Sequence, residues 1–173
     1  MPLATSFRAT LTVSESGAND FGGPVFAPTL SEVMELTNGT GALQADQCWF
    51  DERTVASGAN DDLDLAGSLT AAFGSVLTIA KLVAIAVINA PRVGAANTTN
   101  LTIGGGTNPF VGFLGGTTPT IGPIRPGGFV ILGCGDTVGG IGSVVAGTGD
   151  ILRIANSAGA SATYQIALIG RSA

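Results

Sequence analysis

Histidine is absent from the 173 residues, and lysine occurs only as Lys81. Without histidine the chain cannot form Ser-His-Asp or Cys-His nucleophilic machinery. It also lacks the usual general base near neutral pH and the commonest zinc and copper ligand. The two cysteines, Cys48 and Cys134, are far apart and fit no CxxC pattern. In a reducing compartment they read as buried thiols rather than a disulfide. Charged side chains make up 11% of the chain, against about 25% in an ordinary globular protein. With six arginines, one lysine and a net charge of −5, there is no basic patch for a phosphate backbone, so no nucleic-acid partner is expected. No GxxxxGK[ST] phosphate loop occurs.

A long apolar run is also missing. The most apolar stretch, LTIAKLVAIAVINA from Leu77 to Ala90, contains Lys81 and ends before Pro91-Arg92. A spanning helix needs about 20 apolar residues, so no membrane partner is expected. Val76, Thr78, Ile79, Val83, Ile85, Val87 and Ile88 are β-branched, which favours a strand over a helix. A straight strand over the whole run would measure roughly 46 Å, so a bend or bulge near Lys81 is expected. Ile79, Val83, Ile85 and Val87 share a bulky face suited to a core. Ala80, Leu82, Ala84, Ala86 and Ile88 share a smaller face that is still apolar, and it needs a cover of its own.

What the chain has in quantity is glycine, 27 residues, between short apolar pieces: NLTIGGG, NPFVGFLGG, TIGPIRPGG, FVILGCGD and GIGSVVAGTGD. Near the N-terminus Phe7, Ala9, Leu11 and Val13 alternate with Arg8, Thr10 and Thr12, a strand signature. SGANDFGGPVFAP then reads as an extended loop or arm. LSEVMELTNGTG fits either a short helix capped by Ser31 or an edge strand ending at Asn38-Gly39. QADQCWFDERTV reads as a strand with Cys48, Phe50 and Glu52 opposite Trp49, Asp51 and Arg53. Gly58 to Asp62 reads as a turn, and Leu63 to Leu69 as the start of a new element. DILRIANSAGASATYQIALIG reads as a hairpin turning over Asn156–Ser161. Many short strands with glycine turns predict an all-β fold, a single-domain β-sandwich or jelly-roll-like barrel over 31–173, preceded by an extended N-terminal segment over 1–30.

Several local patterns imitate chemistry. Gly133-Cys134-Gly135 with Gly139-Gly140 has the wrong spacing for a dinucleotide loop and no helix-forming sequence after it. Asp61, Asp62 and Asp64 offer hard oxygen ligands, but no glutamate closes an EF-hand loop. Asp51 and Glu52 are adjacent on a strand and point to opposite faces, so they cannot pair as acid and base. Trp49, Phe50, Phe110, Phe113 and Tyr164 could stack on a sugar, yet such residues more often fill a core. The sequons at Asn38, Asn97 and Asn100 have no secretory signal before them and read as turn chemistry. The N-terminus has no apolar signal core, so the chain is expected to be made and kept in a cytoplasm. No catalytic, metal or cofactor residues are assigned, and the expectation is a protein that is not an enzyme.

Four phrases carry a resemblance: DLDLAGSLTAAFG at 62–74, NLTIGGGTNPFVGF at 100–113, IRPGGFVIL at 124–132 and AGTGDILRIANSAGASATYQIALIG at 146–170. Over residues 35–173 the chain resembles small virion structural proteins of tailed bacteriophages; residues 1–30 take no part in the resemblance. It implies an all-β subunit of the particle, with a capsid decoration (cement) protein on the head surface as the preferred member and the major capsid protein as partner. The alternative is a tail, baseplate or fibre subunit that binds a host-surface glycan. Sparse charge with a mean hydropathy of +0.47 predicts large apolar contacts, hence self-association, with a homotrimer expected. The expected interface residues are Phe7, Leu11 and Phe21 on the N-terminal segment, and Leu82, Ala84 and Ala86 on the second face of the long apolar strand.

Overall fold

The computed structural model describes residues 2–18 and 20–173, and among them every regular element is a strand. In chain order these are β1 (Thr5–Thr12), β2 (Glu15–Ser16), β3 (Val25–Phe26), β4 (Thr29–Asn38), β5 (Gln44–Ala45), β6 (Gln47–Val55) and β7 (Asn60–Asp64). They continue with β8 (Lys81–Ile88), β9 (Leu101–Gly104), β10 (Thr120–Ile124), β11 (Phe129–Gly133), β12 (Gly142–Ser143), β13 (Ile151–Asn156) and β14 (Ala162–Arg171). One sheet has the order β11-β8-β14-β6, with β12 also on β8; a second has the order β10-β9-β13-β7. Their inner faces share one core: Trp49, Leu82, Ile85, Val87, Tyr164 and Leu168 from the first sheet meet Leu63, Leu101, Ile103, Leu152 and Ile154 from the second. The chain is therefore all-β, a single domain of sandwich-like form. The loop between β7 and β8 adds Leu65, Leu69, Leu77 and Ile79 to that core. Each such side chain contributes about 1.5–3 kcal/mol on full burial. Phe110 is also fully buried, over a point where Gly112 and Gly142 touch backbone to backbone; a Cβ on either would strike the other and the Phe110 ring.

The long apolar stretch is a strand, but only over Lys81–Ile88; Thr78 bonds instead to the side chain of Gln47. The expected bulge is present. Ala84 opposes Ile169 while Leu82 opposes Gly170, leaving Val83 as the extra residue. The bulge exchanges the two faces at that point. Leu82, predicted on the outer face, lies in the main core; Val83, predicted in the core, joins Ala84 in a second cluster outside it.

Of the two readings of LSEVMELTNGTG, the strand that ends at Asn38 is the one formed. Two further expectations change. The pairing of Asn60 to Asp64 with β13 absorbs most of the turn expected at Gly58 to Asp62, so the new element starts earlier than Leu63. The C-terminal stretch is not a hairpin: β13 pairs with β7 and β9, whereas β14 pairs with β6 and β8. The segment between them is a corner joining the two sheets. Asn156 builds that corner, its buried amide nitrogen donating to the carbonyls of Val55, Ala56 and Ala160.

Candidate assembly surfaces

The N-terminal segment pairs with the residues that follow it. β1 and β4 run antiparallel from Thr5↔Leu36 to Thr12↔Thr29, and β2 and β3 extend the ladder to Ser16↔Val25. The result is one long two-stranded ribbon. Its tip is the sequence SGANDFGGPVFAP, of which Asn19 lies outside the described residues. Thr5–Thr10 of the extended segment placed at 1–30 thus pair with Ser31–Leu36 beyond it, while the pairs from Leu11↔Leu30 to Ser16↔Val25 lie within it.

Directly opposed residues share a ribbon face. One face is polar: Ser6 bonds Glu35, Thr10 bonds Ser31 and Thr12 lies against Thr29. The other carries Phe7 with Met34, Ala9 with Glu32, and Leu11 with Leu30, then Val13 and Phe26. The root of this apolar face is seated: Leu3, Phe7, Met34 and Leu36 pack with Val83, Ala84, Ile169 and Cys48. Past the root it has no cover among the described residues, with Leu11 60%, Leu30 74% and Phe26 64% exposed.

The root sits on the outer face of the larger sheet. Strand register divides that face into rows. The first row, Cys48–Ile169–Ala84–Gly133, lies under the ribbon root, and a Cβ on Gly133 would stand 3.2 Å from Met34 Cε and 3.3 Å from Phe7 Cε1. The next row, Phe50–Ala167–Ala86–Ile131, is open, as is the row after it, Glu52–Gln165–Ile88–Phe129. Ala86 and Ala167 floor a groove of about 680 Å³ lined also by Phe50, Glu52, Ile88, Arg92 and Gln165; Ile131 and Phe129 continue the two rows on β11, beside it. Phe50 is 69% and Phe129 66% exposed. At one end Glu52 Oε2 accepts the Arg92 backbone N–H and Gln165 Nε2 donates to the Ala90 carbonyl.

The predicted interface residues fall into three groups. Leu11 and Phe21 are exposed on the ribbon. Phe7 and Ala84 belong to the seated root, and Ala86 is on the groove floor. Leu82 has no exposed surface and cannot be an interface residue. Phe129, Ile131 and Leu30 were not singled out in the sequence as contact residues, and Phe50 was named only among the candidate sugar-stacking aromatics, although alternation already set it opposite Trp49.

The carboxylates that imitate a chemical site are engaged in hydrogen bonds within the fold. Asp61 points inward at the sandwich edge. It accepts from Arg53 Nη2 (2.9 Å) and from the Tyr164 hydroxyl (2.8 Å), with Arg53 Nε also bonded to it. Burial pushes the Asp61 carboxyl up, but the Arg53 and Tyr164 hydrogen bonds outweigh it and hold it below the usual range. Burial, then the neighbouring Asp61, raises the Tyr164 phenol well above its ordinary value. Asp62 faces outward to Arg153, with oxygens 2.6 and 2.7 Å from the guanidinium nitrogens, and that bond lowers its pKa. Asp64 accepts the Ala66 N–H. The three carboxylates therefore do not converge, and no metal-binding group occurs among the described residues. Of the five aromatics, Trp49, Phe110 and Tyr164 are buried, and Phe50 alone of the five lines the groove. Both cysteines are free; Cys48 lies in the first row, three strands from Gly133, the residue before Cys134.

At the end of β14 the Arg171 side chain is fully buried. It donates to the carbonyls of Gln44 (2.8 Å), Thr137 (2.7 Å), Val138 (2.7 Å) and Gly135 (2.9 Å). Desolvation lowers its pKa. This cage ties the ribbon root, through β5, to the loop after β11. Comparisons with protein-family models, with curated proteins and with solved structures find no match.

Proposed function

We propose that the chain is a structural subunit of a bacteriophage particle, a capsid decoration protein that stabilises the head shell by non-covalent contacts with the major capsid protein and with itself as a homotrimer. The observation that carries this reading is the amphipathic ribbon, whose apolar face runs on beyond the body that seats its root. An extended ribbon offers a large contact for few residues, and its main-chain edges can pair with a strand of a neighbour. Many symmetric copies turn a modest contact into strong avidity. The resemblance over 35–173 supplies the particle. A glycan-binding tail or fibre subunit is the second reading; its aromatic platform is reduced to Phe50, so the first is preferred.

The test is addition of the purified protein to shells stripped of it. The decoration reading expects saturable rebinding to the shell and recovery of resistance to heat or osmotic shock. Failure to rebind shells, together with adsorption to host-surface glycan, would transfer the protein to the second reading.

A further inference from the structure

Each molecule carries two bare halves of a contact that it already makes once within itself. The ribbon root shows the contact: Phe7 and Met34 lie on the row Cys48–Ile169–Ala84–Gly133. The next row on that sheet face, Phe50–Ala167–Ala86–Ile131, has the same character and no cover. On that ribbon face the pair Ala9 with Glu32 comes next, and beyond it Leu11 with Leu30, then Val13 and Phe26, are also bare. Because both are exposed at once, the ribbon does not lie on its own groove.

The dimensions match. Phe50 and Ile131 stand three strand spacings apart, about 14 Å, while opposed side chains on a ribbon are about 5 Å apart. A Leu11–Leu30 pair therefore fits between those walls, above a floor of two alanines, at the usual sheet-to-sheet distance of about 10 Å. Charge matches too. On the ribbon Glu15 and Glu32 form no ion pair among the described residues; by the groove the same holds for exposed Arg92 and Arg125. Arg92 lines the groove, and Arg125 lies in the turn that packs beside Asn89, just past the end of β8.

We propose that the groove of one copy receives the apolar ribbon face of a second copy, with Leu11 and Leu30 on Ala86 and Ala167 between Phe50 and Ile131, and with Glu15 and Glu32 directed towards Arg92 and Arg125. The inference rests on the reading of the chain as an assembly subunit and names the surfaces that meet. Donor and acceptor are different patches, so the contact is head-to-tail, and a closed homotrimer requires the rotation between copies to close as a ring rather than run on as a filament.

The test uses two full-length variants at exposed positions: Leu30→Glu, which disables the ribbon, and Phe50→Glu, which disables the groove. Sedimentation of the wild-type chain should show a closed oligomer. Each variant alone should sediment as a monomer, with association weakened about tenfold or more. Mixed, they should form a one-to-one dimer and stop there, because only one intact ribbon and one intact groove remain. The dimer also shows that both variants are folded. Phe26→Glu and Ile131→Glu provide a second pair with the same expected outcome. A monomeric wild-type chain at tens of micromolar, an oligomer indifferent to all four changes, or mixtures that never pair would overturn the inference. Shell rebinding separates it from the broader reading. Rebinding without ribbon–groove pairing sinks this inference alone, and pairing without rebinding sinks the particle reading alone.

Discussion

Replacing Arg171 with methionine removes a buried guanidinium and strands the four carbonyls that it serves. Its cage holds no carboxylate; the acceptors are the carbonyls of Gln44, Gly135, Thr137 and Val138 at 2.7–2.9 Å. Hydrogen bonds to a charged group contribute about 1.5–3 kcal/mol each, and an unsatisfied buried group costs about 1–3 kcal/mol. Two effects reduce the sum. The substitution relieves the desolvation that lowers the Arg171 pKa, and water can reach some carbonyls once the loop relaxes. A net loss of about 3–5 kcal/mol follows, the range for breaking a buried charged network. For a chain of this length that lowers Tm by roughly 6–20 °C. Arg171→Lys keeps the charge but not the planar fork and should cost about half as much. Urea unfolding of the three proteins measures the difference. Because Gln44 lies beside the ribbon root, hydrogen exchange should also quicken at the Thr37 and Leu43 amides, which bond the Leu43 and Gly135 carbonyls. An Arg171→Met protein within about 1 kcal/mol of wild type, with unchanged exchange at those amides, would refute the cage as a structural lock.

Other outcomes follow from the same geometry. Tyr164→Phe loses the bond to Asp61 and should cost about 1–2 kcal/mol near neutrality. The raised phenol contributes stability that is full below its ordinary value of about 10 and is lost as pH rises above it; pH-dependent melting of the Phe variant should lack that alkaline decline. Asp61 has the opposite sign: its lowered pKa gives stability present above about pH 4 and lost as pH falls through the folded value. Asp61→Asn should flatten the acid limb while lowering stability at pH 7 by about 1–3 kcal/mol, read by urea unfolding. Gly133→Leu drives a side chain into Met34 and Phe7 and should cost about 1–3 kcal/mol by overpacking, with limited proteolysis showing earlier cleavage in the ribbon.

The legible parts of the chain were those where alternation had only one physical solution. QCWFDERTV put Trp49 and Phe50 on opposite faces, and Trp49 is buried while Phe50 is exposed. Phe7, Ala9 and Leu11 likewise share one ribbon face. In the Lys81–Ile88 strand every residue after Lys81 is apolar, so composition could announce a bulge but not its position. Its location at Val83 reverses the predicted sides of Leu82 and Val83. The last two strands alternate as hairpin strands would, but the connection is a corner between sheets, held by the Asn156 amide on Val55 and Ala56 and by bonds of Ser157 and Gly159 to Gly58, Asn100 and Ser57. The Asn156 contacts with Val55 and Ala56 join residues about a hundred positions apart, outside any local window. The ribbon was hidden for a related reason: the partner of β1 lies past a tip with no two-residue turn signal. The groove needs four strands in register before its rows exist.

Quantitative mass spectrometry of purified particles is the decisive measurement. A decoration protein is present in a fixed small-integer ratio to the major capsid protein and leaves the particle when the shell's outer layer is stripped, and both results are expected for this chain. Its absence from particles, or its presence only at the low copy number of tail-tip proteins, would overturn the proposed role.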